Sequence, residues 1–419
     1  MNYPQKNYRR QLTVLLGGVL AILATRTDAA APVGYVTQTI PLSAPPVGLA
    51  YAADGVLYAM EEAGFGNNAA TVRQILTDGS FGASFDVVGD DPTNLFTGGM
   101  TYDFLGNRLL ITDNTADGRL YAVDLSGTKQ TIADSLPAIS GVAVRNTGEI
   151  FVSTALGGGL GGVYQIDRTT GAATPVLGGL DYGAGLAFDP LGNLVVQDAA
   201  SVAPYLGRLQ RLPITEISGG LTFGAAETII AGASAAAGVL VDGEGDVFLT
   251  GRGGIFSVDG EPAAETLFYS SGNPNQFATA ITLSPGDAAF EPFTGGTGGR
   301  VAAMADYGFG SQQSYITLLT PADAEDFNSD GVVDGEDLEV WSSGFGLPAD
   351  DPAQGDGNAD GFVDGADLLQ WQRALGASTL LPGLSATGAV HPIPEPTSLS
   401  LCVAVLLTGL ARIVPFRLR

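Results

Sequence analysis

From about residue 33 to residue 320, apolar positions recur in short alternating stretches closed by glycine or aspartate, and one such stretch returns along the chain. Five copies read VGLAYAADGVLYA from Val47, GGMTYDFLGNRLLI from Gly98, SGVAVRNTGEIFV from Ser140, AGLAFDPLGNLVV from Ala184 and AGVLVDGEGDVFL from Ala237. In each, a second glycine follows the first by seven residues: Gly48 and Gly55, Gly99 and Gly106, Gly141 and Gly148, Gly185 and Gly192, Gly238 and Gly245. A period of two sends the apolar side chains to one face, and Gly or Asp at the turn adopts positive φ cheaply, so each copy predicts a β-hairpin. A sixth, degenerate copy, AITLSPGDAAF, begins at Ala280. Between copies, GRLYAVDLSG, GGVYQIDRTTG and GGIFSVDG supply further strands, about four per unit. The first glycines stand 51, 42, 44 and 53 residues apart, as propeller blades do, and six blades fit best. Closing the ring hides the strand edges, and a first strand near residues 35–40 would complete the last blade. A β-sandwich or a β-helix would also accept such strands.

Across this segment the pattern resembles the six-bladed propellers of the NHL-repeat and gluconolactonase-like families. Gluconolactonase-type members hold a divalent metal with an Asn before the blade glycine and an Asp after the second strand. Asp113 and Asp198 match the second position, but the residue before the blade glycine is Val47, Gly98, Ser140, Ala184 or Ala237, never Asn. The implied ligand set is incomplete, and an Asp at a strand end is more often a turn former, so no catalytic residue is assigned.

A different pattern begins after the last repeat. Residues 321–372 contain fourteen Asp or Glu and no Lys or Arg. Composition alone would make this a solvated acidic tail. The block resolves instead into two twelve-residue loops, DFNSDGVVDGED from Asp326 and DGNADGFVDGAD from Asp356. Positions 1, 3, 5, 9 and 12 are Asp326, Asn328, Asp330, Asp334 and Asp337 in the first loop. In the second they are Asp356, Asn358, Asp360, Asp364 and Asp367. Position 6 is Gly331 or Gly361, where an EF-hand loop turns sharply, and position 7 offers the backbone carbonyl of Val332 or Phe362. Hard oxygen donors at this spacing suit two Ca2+ ions, one per loop, far better than a soft transition metal. Carboxylates crowded this closely repel one another without an ion, so folding of the module is expected to depend on calcium.

Position 12 is Asp rather than Glu, no clear helix precedes either loop, and apolar helical segments, LEVWSSGFG and LLQWQRALG, follow them. Residues 323–377 therefore resemble a type I dockerin, two loop-plus-helix halves related by near two-fold symmetry. That resemblance implies a cohesin-like protein partner. The partner-reading positions depart from the pattern: positions 10 and 11 are Gly335-Glu336 and Gly365-Ala366, and Arg373 is the only basic residue on the following helices. Calcium binding is thus the firmer implication. Trp341 and Trp371, at equivalent places in the two halves, are expected to pack in the module core.

The two ends read as addresses. A basic head, the apolar run LTVLLGGVLAILA and small residues up to Ala29 form a secretory signal peptide over residues 1–29, too short an apolar run for a stable membrane anchor. After a Pro-rich linker at 378–393, Pro394-Glu395-Pro396, an apolar stretch from Leu399 to Ala411 and Arg412, Arg417 and Arg419 resemble a bacterial PEP-CTERM sorting signal. The resemblance implies processing by an exosortase-type enzyme and membrane contact through a C-terminal hydrophobic helix; a plain tail anchor would give the same contact.

Composition removes several alternatives. A net charge of −26 leaves no basic patch for nucleic acid. The one cysteine, Cys402, excludes a disulfide framework, and the one histidine, His391, sits in the linker, so His-dependent catalysis in the repeat region is excluded. The expected fold is mainly β: a six-bladed propeller at 33–320, a small α-helical dockerin-like module at 323–377 and the sorting segment at 394–419. The expected function is non-catalytic binding or scaffolding at the cell surface or extracellular matrix, with a propeller ligand the sequence does not specify. The alternative is an extracellular hydrolase of a sugar, lactone or polysaccharide carrying a dockerin targeting module.

Overall fold

A computed structural model describes residues 32 and 34–380, apart from 63–67, 91–96, 201–205, 234–236, 261, 273–275, 287–300, 309–312, 350–351, 359 and 379. The signal peptide, the linker from residue 381 and the sorting segment with its predicted hydrophobic helix lie outside the described residues. Among the described residues no helix is long and apolar enough to cross a membrane.

The repeats form six four-stranded antiparallel sheets. Five are continuous in sequence, at 46–88, 97–133, 139–180, 182–233 and 239–270. The sixth combines Gln276–Leu283, Ala302–Gly308 and Ser314–Pro321 with the N-terminal strand Tyr35–Leu42. Tyr35 pairs with Pro321 and Leu42 with Ser314, so the first strand closes the ring as its edge logic predicts. The leading strands of successive blades contact one another around the full circle.

The degenerate sixth copy departs from expectation. Its leading strand is Gln276–Leu283, but that strand pairs with Ala302–Gly308, well beyond the expected DAAF segment, of which residues 287–290 lie outside the described residues. This blade lacks the glycine pair spaced by seven residues: Ala280 and Asp287 stand at those positions, with Gly286 beside the second.

The repeated glycines have a packing cause. A Cβ on Gly141 would overlap the Ala184 carbonyl oxygen of the next blade, and one on Gly185 would lie 2.6 Å from the Val239 amide nitrogen. Hydroxyls on the second strands stitch adjacent blades at this closest approach. Thr112 Oγ1 accepts from the Gly99 amide at 2.7 Å and donates to the Ser140 carbonyl at 2.6 Å. Ser153 Oγ likewise accepts from Gly141 at 2.9 Å and donates to Ala184 at 2.8 Å. Apolar side chains fill the spaces between sheets, such as Met60, Val72, Met100, Ile111 and Tyr121 between the first two blades.

Five residues after Pro321 the first acidic loop begins. Helix α1 (Gly335–Gly344) starts inside it, and α2 (Gly365–Ala374) starts inside the second loop. Only a short 3-10 turn, Pro352–Gln354, precedes the second loop, in keeping with the loop-plus-helix pattern. Phe327, Val333 and Trp371 form the buried centre between the halves.

Candidate metal centres

The two acidic loops fold alike, bond for bond. In the first, Asp326 accepts from the Asp330 amide at 3.0 Å and the Gly331 amide at 2.7 Å, while Asp330 accepts from Val332 at 2.9 Å. In the second, Asp356 accepts from Asp360 at 3.2 Å and Gly361 at 2.9 Å, and Asp360 accepts from Phe362 at 3.1 Å. Asn328 and Asn358 each accept from the amide two residues on and donate to the carboxylate of Asp330 or Asp360.

The last loop position has a second task. Asp337 accepts from the amides of Asn328 at 3.1 Å and Asp334 at 2.7 Å; Asp367 does the same for Asn358 at 3.2 Å and Asp364 at 2.7 Å. Asp334 and Asp364 are the N-caps of α1 and α2, so each loop ends in a capping box whose second member, three residues after the cap, is the loop's position 12. This dual use suits the short side chain of Asp at a position where EF-hands carry Glu.

Asp326, Asp337, Asp356 and Asp367 are all buried. No Lys or Arg forms an ion pair with them among the described residues. Burial pushes the Asp326 carboxyl up to about 7 and raises Asp337 as well, each with a further contribution from neighbouring acids. Carboxylates removed from water without a cation are costly, and a hard divalent ion is the partner this donor set fits. The side chains are turned onto backbone amides: among the described residues, no three Asp, Glu, His or Cys groups are gathered as a metal-binding cluster. Binding therefore requires the loop oxygens to converge on the ion.

The tryptophans brace the duplication. Trp341 Nε1 donates to the Asp364 carbonyl at 2.8 Å, and Trp371 Nε1 donates to the Asp334 carbonyl at 2.9 Å. Each half thus holds the position-9 backbone of the other, a cross-link that core packing alone would not predict.

In the propeller, the predicted Asp113 and Asp198 occupy equivalent rungs, opposite Thr97 and Gly183 just beyond a β-bulge. Glu61 and Asp306, which sequence reasoning did not single out, occupy the same rung opposite Pro46 and Ala278. For Glu61 the signal was an acidic residue ending the second apolar strand, thirteen residues after the blade glycine as Asp198 is; Asp306 has no such spacing. Three of the four are already engaged. Glu61 accepts from Arg73 at 2.7 Å, Ser43 at 2.9 Å and the Ala44 amide at 3.0 Å. Asp198 accepts from Arg208 at 2.9 Å and from the Asp181 and Tyr182 amides. Asp113 accepts from the Tyr121 hydroxyl at 3.2 Å. Asp306 is 3% exposed, and burial pushes its carboxyl up to about 7. With Glu61 and Asp198 committed to arginines and backbone amides, half of this rung is withdrawn from metal binding, and the ligand set implied for gluconolactonase-type propellers stays incomplete.

No protein-family description and no curated protein matches this sequence. By structure, the propeller is similar to a luciferin-regenerating enzyme, with TM-score 0.50 and 11% identity over 68% of this chain and 95% of that one. It is also similar to the calcium-binding protein regucalcin of Agrobacterium tumefaciens, with TM-score 0.49 and 16% identity over 70% and 96%. A gluconolactonase of Xanthomonas campestris gives 0.47 and 15% over 70% and 98%. The likeness is one of fold. The six four-stranded sheets themselves make the fold a six-bladed propeller.

Proposed function

We propose that the chain is an exported, envelope-anchored, non-catalytic binding protein, whose propeller presents a ligand surface and whose dockerin-like module takes two calcium ions. The observation that carries this reading is the duplicated loop: two complete oxygen-donor sets repeat thirty residues apart and fold with the same hydrogen bonds. Asp326, Asn328, Asp330, Asp337 and the Val332 carbonyl would hold one ion, with Asp334 reaching it directly or through water. Asp356, Asn358, Asp360, Asp364, Asp367 and the Phe362 carbonyl would hold the other. A calcium-stiffened module offers a cohesin-like domain a defined surface, and the PEP-CTERM-like tail supplies the route to the envelope through an exosortase-type enzyme. The engaged carboxylates of Glu61 and Asp198 favour binding over hydrolysis of a sugar or lactone, because a general acid or nucleophile needs a free oxygen facing substrate.

The test is calorimetric titration of calcium into the full chain and into the Asp330→Ala/Asp360→Ala variant. Two ions bound by the parent and none by the variant support the reading. An unchanged parent heat signal, with no calcium retained after dialysis, would sink it.

A further inference from the structure

We infer that the first calcium loop is part of the propeller's closure, so that calcium held there tightens the ring; this rests on the calcium reading of the loops. The closing strand Tyr35–Leu42 lies at the edge of its sheet and is paired along one side only, to Ser314–Pro321. The chain then runs directly from that partner strand into the module. Ala322 donates its amide to the Gly34 carbonyl at 2.8 Å, extending the ladder, and Asp326 donates to the Asp323 carbonyl at 2.9 Å. In this short junction Ala322 and Asp326 are buried and residues 323–325 are half-buried, so it is packed against its surroundings.

The decisive contact is at Gly331. It has φ +91°, and a Cβ there would lie 3.1 Å from Val36 Cγ1 on the closing strand and 2.6 Å from Leu380 Cδ2. Gly361, its counterpart, has φ +92°, but the nearest atom to a Cβ there is the Ala349 carbonyl oxygen at 3.8 Å. The neighbouring position shows the same asymmetry: Val332 is half-buried, whereas Phe362 is 57% exposed. Two loops with the same internal bonding thus differ in what they rest on. The glycine turn of the first is seated on the strand that closes the ring, whereas that of the second rests on Ala349 of its own module.

If the closing strand leaves its ladder, the first loop loses the wall that holds its glycine turn in the ion-binding shape. A ligand that favours one arrangement of that turn must favour ring closure by the same factor, because coupling between two equilibria is reciprocal. The two glycines separate this effect from simple loop strain. Alanine meets the same unfavourable φ at either position, but only at Gly331 does it collide with Val36 and Leu380.

The experiment is amide hydrogen exchange on the full chain, in calcium chloride or in chelator, read in peptides covering 35–42 and 314–321 and in peptides covering the two loops. Calcium is expected to slow exchange of the closing strands about tenfold in the parent chain. The effect should persist in Gly361→Ala and be lost in Gly331→Ala. If calcium protects both loops but leaves the closing strands unchanged, or if the two variants behave alike, the module is a mere appendage and the inference falls while calcium binding stands. If calcium protects neither loop, the calcium reading fails and takes the inference with it.

Discussion

Asp306 offers a stability measurement whose sign and size follow from its surroundings. It lies in the second strand of the sixth blade, opposite Ala278 on one side and Tyr315 on the other, and no cation pairs with it among the described residues. Burial raises its carboxyl from 3.8 to about 7 in the folded chain. The folded state therefore holds this proton more tightly than the unfolded state does. Stability contributed by the neutral form is full below about pH 4 and is lost as pH rises through about 7. A shift of about three units is worth about 4 kcal/mol at the alkaline end, and about 2 kcal/mol of that is lost between pH 5 and pH 7. Asp306→Asn mimics the neutral acid without titrating. Its urea midpoint should exceed the parent's by about 2–4 kcal/mol equivalent at pH 7.5, and the difference should vanish near pH 4. The comparison with parent matters because the net charge of −26 also makes acid favourable through reduced self-repulsion. A difference that does not depend on pH, or a variant less stable than parent at pH 7.5, would refute an uncompensated buried carboxyl.

Two further predictions concern the contacts between blades. Gly141→Ala should destabilise the propeller by about 1–3 kcal/mol in urea titration, because the new methyl meets the Ala184 carbonyl and the backbone must shift. Thr112→Val keeps the volume but removes the hydroxyl shared by Gly99 and Ser140, and leaving that amide and carbonyl unsatisfied should cost about 2 kcal/mol, measured the same way.

The propeller was legible because its signals are local. Alternation, the paired glycines seven residues apart and the third-strand segments each specify one hairpin, and repetition turns hairpins into blades. The closing strand at Tyr35–Leu42 was legible from a general requirement, that a sheet edge be covered. The second strand of the sixth blade was missed because the turn signal at Pro285-Gly286 is followed not by the return strand but by a long insertion, and the strand begins only at Ala302. The duplication of the two acidic loops was readable, since their spacing is a property of the chain alone. What the tryptophans do was not: Trp341 to Asp364 and Trp371 to Asp334 are bonds between halves, and no pattern within one half encodes them. The same holds for Asp306, whose equivalence to Asp113 and Asp198 emerges only from cross-strand register.

The contrast between the chain's two sets of acids bears directly on function. Asp103 is fully buried at the end of a leading strand, yet Arg168 meets it with two nitrogens at 2.5 and 2.7 Å, and Arg108 adds a third bond at 3.0 Å. Glu61 and Asp198 have their own arginines. The propeller thus sets arginines against these buried carboxylates, though not against Asp306, and both oxygens of each are already hydrogen-bonded, which leaves none free for a metal. The module has the opposite arrangement. Fourteen acids share 321–372 with no basic residue, and the four that are buried in the loops lean only on backbone amides. Amide dipoles can orient a carboxylate but do not neutralise it, so the missing positive charge must come from outside the chain. Two divalent cations would supply it once the loop oxygens converge on them, which is why the calcium reading rests more on this unbalanced charge than on the likeness of the propeller to any enzyme.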